Sequence, residues 1–324
     1  MSRIEITAPA GAPEVRAGDD LADVLVGLLD LERGDLVDGD VVVITSKVVS
    51  KAEGRVRPGT REDALPGETA RVVARRGPTT IVRNHLGLTI AAAGIDGSNV
   101  VAGHVVLLPL DPDASARTLR ARLRERTGRN VAVIVTDTAG RAWREGQTDI
   151  AIGAAGLVVA EEYAGRTDPW GNELAVTLPA VADEIAGAAE LAQGKLAGRP
   201  FAVVRGRADL VLAPGVDGAG AAALVRAERA DLFGYGAREA VVRALRGEPA
   251  DRAPFGAPAP AEELFATIRD TLGLLASRSG RDGEELLLTV PRGLVRAVAA
   301  LAFAHGWDVG PTDAPSETRL RPAP

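Results

Sequence analysis

The run VAVIVTDTAGRAWREGQTDIAIGAAGL, residues 131–157, constrains the fold more than any other stretch of the chain. Its first five residues are apolar and lead straight into Thr136, Asp137 and Thr138. A short β-branched run of this kind predicts a buried strand. A carboxylate flanked by two hydroxyls is poor core material, but it suits a strand end that faces a ligand crevice. Asp137 offers oxygen to a hard cation, and Thr138 offers a hydroxyl of the sort that ligates Mg²⁺ beside phosphates. Arg141 and Arg144 can grip carboxylate or phosphate oxygens with two hydrogen bonds each. The alternative is a surface loop with ion pairs worth about 0–1 kcal/mol. Trp143 weighs against that alternative, because a solvated loop gains nothing from an indole.

Around this strand the pattern alternates between elements. RIEIT and GDVVVIT predict strands, as do TTIVRN, LGLTIAAAG, GHVVLLP and PFAVVRG. GDDLADVLVGLLDL predicts a helix with Leu21, Leu25, Leu28 and Leu29 on one face, capped by Asp19 or Asp20. GETARVVARR also reads as helical, residues 114–127 as an arginine-rich helix, and AVADEIAGAAELAQG as a further helix. No strict βαβ rhythm appears, so both α/β and mixed α+β architectures stay open. The stretch 247–263, rich in Pro, Ala and Gly, reads as a linker between a main domain, 1–246, and a small α/β module, 264–324. In the module, Leu264, Phe265, Ile268, Leu272 and Leu275 mark an amphipathic helix. ELLLTV follows as a strand and RGLVRAVAALAFA as a second helix.

Composition closes off several chemistries. The chain of 324 residues contains no cysteine, so disulfides, thiolate metal ligands and a cysteine nucleophile are all excluded. Its three histidines, His85, His104 and His305, lie far apart, which leaves an oxygen-held Mg²⁺ or Mn²⁺ as the expected metal. A net charge of −6 argues against a nucleic-acid partner. No apolar stretch is long enough for a membrane span and no leader pattern opens the chain, so a cytoplasmic protein is expected.

Three more clusters carry polar chemistry. In AAAGIDGSNV, Asp96 stands between Gly94 and Gly97 with Asn99 close behind: a turn that either approaches a ligand or is only a polar turn. In TSKVVSKAEGR, Ser46 follows a strand, and Lys47 and Lys51 would share one face of a helix. This is either a cationic claw or a solvated basic face, and the chain contains no P-loop. Arg117, Arg120 and Arg124 form a row that reads first as a solvated or salt-bridged face, and second as a seat for an anion.

Together, GAPEVRAGDDL, GDVVVITSKVVSKAEGR, AAAGIDGSNV and the run 131–157 resemble, in order, the GTP-dependent coenzyme F420-0:L-glutamate ligases, also called F420 γ-glutamyl ligases. The resemblance spans residues 11–206 and implies a mixed α/β fold in an intertwined homodimer. It implies transfer of the GTP γ-phosphate to the F420-0 carboxylate, then attack by L-glutamate on the acyl phosphate, with further γ-linked glutamates as an extension. Gly11, Ala12, Pro13, Glu14, Ser46, Lys51 and Asn99 would contact GTP, and Gln193, Gly194 and Lys195 would belong to a segment that closes over it. Asp96 and Asp137 would hold one divalent cation, Mg²⁺ or Mn²⁺, and Thr138 a second, with K⁺ as an optional addition. Asp137, Lys51, Arg141 and Arg144 are the expected catalytic and substrate-gripping residues.

Two positions depart from the family pattern. Lys195 stands where some members have a glutamine metal ligand; a protonated lysine cannot ligate a cation, which leaves Thr138 as the second ion's one protein ligand. Arg83 stands where an acidic residue is expected. The tail is too short for the flavin-binding domain of some relatives, so no flavin is expected. A ligase for another carboxylate and a non-catalytic nucleotide-binding protein are the competing readings.

Overall fold

A computed structural model describes residues 3–279, 285–310 and 317–324. In chain order the first part contains β1 (Glu5–Thr7), α1 (Leu21–Val26), β2 (Val41–Thr45), α2 (Ser46–Ala52), β3 (Val56–Pro58) and α3 (Arg61–Glu68). It continues with β4 (Thr69–Arg76), β5 (Thr79–Asn84), β6 (Thr89–Ala91), β7 (His104–Val106), α4 (Pro112–Thr127), β8 (Ala132–Gly140) and β9 (Gln147–Ala155). β10 (Arg166–Thr167), β11 (Glu173–Leu174), α5 (Val181–Gln193) and β12 (Phe201–Arg205) complete it.

A five-stranded sheet in the order β1-β12-β2-β8-β9 forms the centre. Only β2 and β8 are parallel in it; the other neighbours are antiparallel. The architecture is therefore mixed α+β. Alternation along the strands explains the layers, because successive side chains point to opposite faces. Val42, Ile44, Val133, Val135, Phe201 and Val203 pack on one face with residues of α1 and α4. Val41, Val43, Ala132, Ile134, Ala202 and Val204 pack on the other with residues of α5. Strands covered on both faces read as unbroken apolar runs, which is why β2 and β8 stand out in the sequence.

The close fit of α4 on β9 depends on two glycines. A Cβ on Gly153 would collide with the Pro112 carbonyl, and one on Gly156 with the Arg120 guanidinium. Asp111 caps α4 by accepting from the Ala114 N–H at 2.8 Å, and Gly128 ends it in left-handed backbone.

Several expectations need correction. GETARVVARR is not helical: α3 stops at Glu68, and Thr69 to Arg76 form β4, paired with β5. Val72 and Val73 favour the strand, and the helix signal lies earlier, in the capping box of Thr60 and Asp63. α1 ends at Val26, where Gly27 takes over, so Leu28 and Leu29 lie beyond it; Asp20 is its cap, accepting from Ala22 and Asp23. LGLTIAAAG supplies only the three residues of β6 before Ala92 and Ala93 turn into left-handed backbone.

The chain divides into compact units at Met1–Val225 and Arg226–Pro324, earlier than the boundary expected at 246. The second unit contains α6 (Ala237–Arg246), α7 (Ala261–Leu272), β13 (Ala276–Ser279), β14 (Glu285–Thr289), α8 (Val295–Ala304), β15 (Trp307–Gly310) and β16 (Glu317–Pro322). Its antiparallel sheet runs β13-β14-β16-β15 and packs Leu286, Leu288 and Leu320 against Leu264, Ile268 and Val298. The expected linker is partly structured: Asp251 is buried and Arg243 donates to it at 2.8 Å. Among the described residues no helix is long and apolar enough to cross a membrane.

Candidate active site

The parallel pairing of β2 with β8 positions the site. Thr45, the last residue of β2, lies opposite Thr136 of β8, and β8 runs on past it through Asp137 and Thr138 to Gly140, so the predicted strand end at Asp137 is a continuing strand. The residues after this pair are Ser46 and Asp137, and the Ser46 hydroxyl donates to Asp137 Oδ1 at 3.1 Å. Asp137 pairs with no lysine or arginine among the described residues. Burial raises its pKa from 3.8 to about 7, and the negative charges of Asp149 and Asp96 add to the rise, against the opposing bonds from Ser46 and the Thr138 N–H.

Asp96 approaches from a separate loop that bridges to β7, with its N–H donating to the Val106 carbonyl at 3.0 Å. Burial alone would raise its pKa. Lys47 at 2.6 Å, together with the N–H and hydroxyl of Ser98 at 2.8 Å each, overrides burial and lowers it to about 2. Arg61 adds a weaker contact at 3.3 Å. Two acids within each other's field thus sit in opposite states, one neutralised by cations and one not.

A third acid lies across the β8–β9 ladder, where Thr138 faces Asp149. Asp149 is 3% exposed and accepts from Thr138 Oγ1 at 2.7 Å and Thr136 Oγ1 at 3.2 Å. The Lys195 ammonium reaches Thr138 Oγ1 at 2.8 Å, Asp149 Oδ1 at 3.2 Å and Glu190 Oε1 at 2.9 Å. Burial opposes its charge, but Glu190 and Asp149 hold its pKa above the usual value.

The structure thus gathers Ser46, Asp96, Asp137, Thr138 and Lys195. Lys51 is buried one turn beyond Lys47 on α2 and donates to Glu14 at 2.7 Å; that bond lowers the Glu14 pKa. Gly11, Ala12 and Pro13 precede Glu14 in the same surface loop, with Gly11 at a φ of 86°. Asn99 is exposed in left-handed backbone and, like that loop, makes no hydrogen bond to the acidic group among the described residues. Gln193 is buried in the last turn of α5 with both amide polar atoms lacking a hydrogen-bond partner, and Gly194 caps the helix. A buried amide left unsatisfied costs about 1–3 kcal/mol, which is tolerable where a ligand completes it.

Three expectations fare differently. Arg141 and Arg144 sit exposed on the β8–β9 turn, and Arg141 reaches only the Glu145 carbonyl at 3.5 Å. Trp143 gives no shelter to that turn, being 85% exposed. Of the row that reads as solvated or salt-bridged, Arg120 takes the salt-bridged form and is buried rather than solvated: it pairs with Asp217 at 2.8 Å and also donates to Asn130 and the carbonyls of Val131 and Val216. Arg83 lies on β5 opposite Thr89, in the three-stranded meander of β4, β5 and β6.

Sequence reasoning missed Asp149, Glu190 and the Lys47–Asp96 pair. Asp149 had a usable signal: in QTDIAIG it opens an alternating run whose neighbouring run carries Asp137 and Thr138. Glu190 and the Lys47 pairing had none, because they depend on where α5 and the Asp96 loop dock.

The donor chemistry separates two ion positions. Asp137, a carboxylate raised in pKa by burial and further by the charges of Asp149 and Asp96, fits a hard divalent cation, whose charge would offset both effects. Thr138 does not fit a second one as it stands, because an ammonium already occupies its oxygen side. Among the described residues no three His, Cys, Asp or Glu side chains form a ready-made cage.

Residues 11–77 and 64–206 match the F420-0:Gamma-glutamyl ligase family. The chain is 41% identical over 226 residues to the coenzyme F420:L-glutamate ligase of Archaeoglobus fulgidus, covering 63% of this chain and 88% of that protein. The enzyme of the same name from Methanopyrus kandleri is 41% identical over 214 residues, 60% of this chain and 83% of the relative. That of Methanothermobacter thermautotrophicus is 37% identical over 224 residues, 63% and 89%. The second compact unit lies outside the family match.

Proposed function

The chain belongs to the F420-0:gamma-glutamyl ligase family, and on that premise we propose that it joins L-glutamate to coenzyme F420-0 at the expense of GTP. The observation that carries this reading is the unneutralised Asp137 on β8 just beyond the end of β2, with Asp96 within its field. A strand that keeps a half-buried carboxylate without a protein cation is suited to receive one from outside.

The proposed chemistry has two steps. An oxygen of the F420-0 carboxylate forms a bond to the γ-phosphorus as the bond to GDP breaks, giving an acyl phosphate. The glutamate nitrogen, having lost a proton, then attacks the acyl carbon, and inorganic phosphate departs with the electron pair of the broken C–O bond. Both steps bring anions together, so catalysis is mainly positioning and charge neutralisation. A divalent ion bound by Asp137 and Asp96 would supply that neutralisation. The chain's own residues do the rest. Ser46 fixes the Asp137 rotamer through its hydrogen bond. Lys47 stands by at Asp96 and can release it toward a cation while keeping a positive charge near phosphate. Lys51, held by Glu14 on the rim, is a buried ammonium one turn along the same helix, placed to meet a phosphate oxygen. Arg141 and Arg144, exposed on the β8–β9 turn, are assigned to the substrate's own carboxylates and phosphodiester.

The active form in this reading is a homodimer. The segment around β10 and β11 exposes Trp170 at 85% and Val176 at 93%, apolar surface suited to a second subunit. The test is direct: incubate the protein with F420-0, L-glutamate, GTP and Mn²⁺ and weigh the products. Mass steps of one glutamyl residue, with GDP formation dependent on both acceptor and glutamate, are the expected result. GTP bound without turnover, or turnover only with a different carboxylate, would overturn the assignment.

A further inference from the structure

We propose that Lys195 is a tethered cation: its ammonium takes the seat lined by Thr138, Asp149 and Glu190, and the chain therefore binds one divalent ion fewer than these oxygens would otherwise hold. The inference rests on reading the Asp137 edge as a metal-assisted ligase site.

The geometry is that of a filled coordination shell. An ammonium has three N–H donors and no acceptor. Lys195 places them on three oxygens, Thr138 Oγ1 at 2.8 Å, Glu190 Oε1 at 2.9 Å and Asp149 Oδ1 at 3.2 Å. The seat is built for positive charge, since one of its two carboxylates, Asp149, is 3% exposed and Glu190 is largely covered at 19%. Asp149 spends its second oxygen on Thr136. A divalent ion there would need oxygens at about 2.0–2.6 Å. It would therefore share its donors with the ammonium at close range and suffer direct repulsion. Ammonium and ion are mutually exclusive occupants.

The local chain conformation is made for this reach. α5 carries Glu190 in its last turn and ends at Gln193, and Gly194 then turns the backbone at a φ of 62°. Lys195 follows at once and meets the helix's own Glu190, Asp149 of β9 and Thr138 of β8. Its side chain is 58% exposed, so its replacement removes a charge without opening a core.

Lys195→Gln removes the ammonium and leaves a neutral oxygen donor beside Thr138, Asp149 and Glu190. Mn²⁺ bound per subunit is to be counted by equilibrium dialysis and electron paramagnetic resonance, for Mn²⁺ alone and with a non-hydrolysable GTP analogue. The expected result is one more Mn²⁺ in Lys195→Gln than in the unaltered chain, and no increment in Lys195→Arg, which keeps the positive charge. In the absence of metal, Lys195→Gln should melt earlier, and Mn²⁺ should raise its Tm by more than that of the unaltered chain. Equal Mn²⁺ counts in the unaltered chain and Lys195→Gln overturn the proposal, as does an increment in Lys195→Arg. Failure of the parent reading looks different: the unaltered chain would bind no Mn²⁺ at all, with or without the nucleotide analogue, whatever increment the variant shows.

Discussion

Replacing Asp137 by Asn should make the metal-free protein more stable while destroying its proposed activity. The reason is the state of that carboxylate. Its pKa rises from 3.8 to about 7, first through burial and then through the charges of Asp149 and Asp96. At about 1.4 kcal/mol per pH unit, the rise corresponds to about 4 kcal/mol of destabilisation when the group is ionised in the folded state. Asp137 retains partial solvent contact, which lowers the expected effect to about 2–4 kcal/mol. The sign follows from proton binding. Below pH about 4 the acid is protonated whether the chain is folded or not, and Asp and Asn should be alike. Between pH 4 and 7 the unfolded chain releases the proton and the folded one keeps it, so stability falls as pH rises. Above pH about 7 the full penalty is present. For a unit of this size each kcal/mol moves Tm by about 2–4 °C. Calorimetry with a chelator present should therefore show Asp137→Asn melting about 5–15 °C higher at pH 8, with the gap closing toward pH 4. Mn²⁺ should stabilise the unaltered chain and leave the variant nearly unmoved. A gap that does not vary with pH, or a variant less stable than its parent at pH 8, would refute the electrostatic reasoning.

Other substitutions probe separate parts. Arg141→Ala with Arg144→Ala should raise the KM for the F420-0 acceptor and leave nucleotide affinity unchanged; steady-state kinetics and nucleotide titration check this, and lost nucleotide binding would reassign both residues. Lys51→Met should weaken GTP binding by more than tenfold, read by calorimetric titration, while the fold persists because its partner Glu14 is 70% exposed. Arg120→Met should cost about 3–5 kcal/mol, since it removes the arginine donor from six acceptors, among them the buried Val131 carbonyl and the Asp217 carboxylate; denaturant unfolding measures it, and a loss below about 1 kcal/mol would contradict the buried network.

How much of this was legible in sequence depends on range. β8 and β2 were readable because strands buried on both faces leave a local trace, and Asp137 was readable because a carboxylate at the end of such an apolar run is chemically out of place. Thr138 was readable beside it for the same reason, and the resemblance to known ligases then implied roles for Asp96, Ser46 and Lys51 that their clusters alone left open. What failed was either a local competition or a matter of docking. GETARVVARR contains strong helix formers, and the pairing of β4 with β5 overrode them. The Arg117–Arg120–Arg124 row could be read only as solvated or salt-bridged, because helical spacing says which residues share a face and not what that face meets; the Asp217 partner of Arg120 is 97 residues away. Arg120 is buried only because Gly156 leaves room for its guanidinium. Asp149 was within reach of sequence reading, but its meaning required knowing that β9 returns antiparallel beside β8 and sets Asp149 against Thr138.

Taken together, the acids of this edge meet one electrostatic problem in three ways. Asp96 is neutralised by Lys47 from the neighbouring helix, and Asp149 by Lys195 from the end of α5. Asp137 is left with a hydroxyl and no cation. Were all three left bare, mutual repulsion in a poorly solvated crevice would protonate or unfold the site; were all three paired, nothing would attract a soluble ion. Pairing two and sparing one concentrates the attraction on a single carboxylate of β8, just beyond the end of β2. On this argument the tethered lysines do more than stabilise the fold. They determine which acid must recruit its cation from solution, and moving a lysine should move the ion.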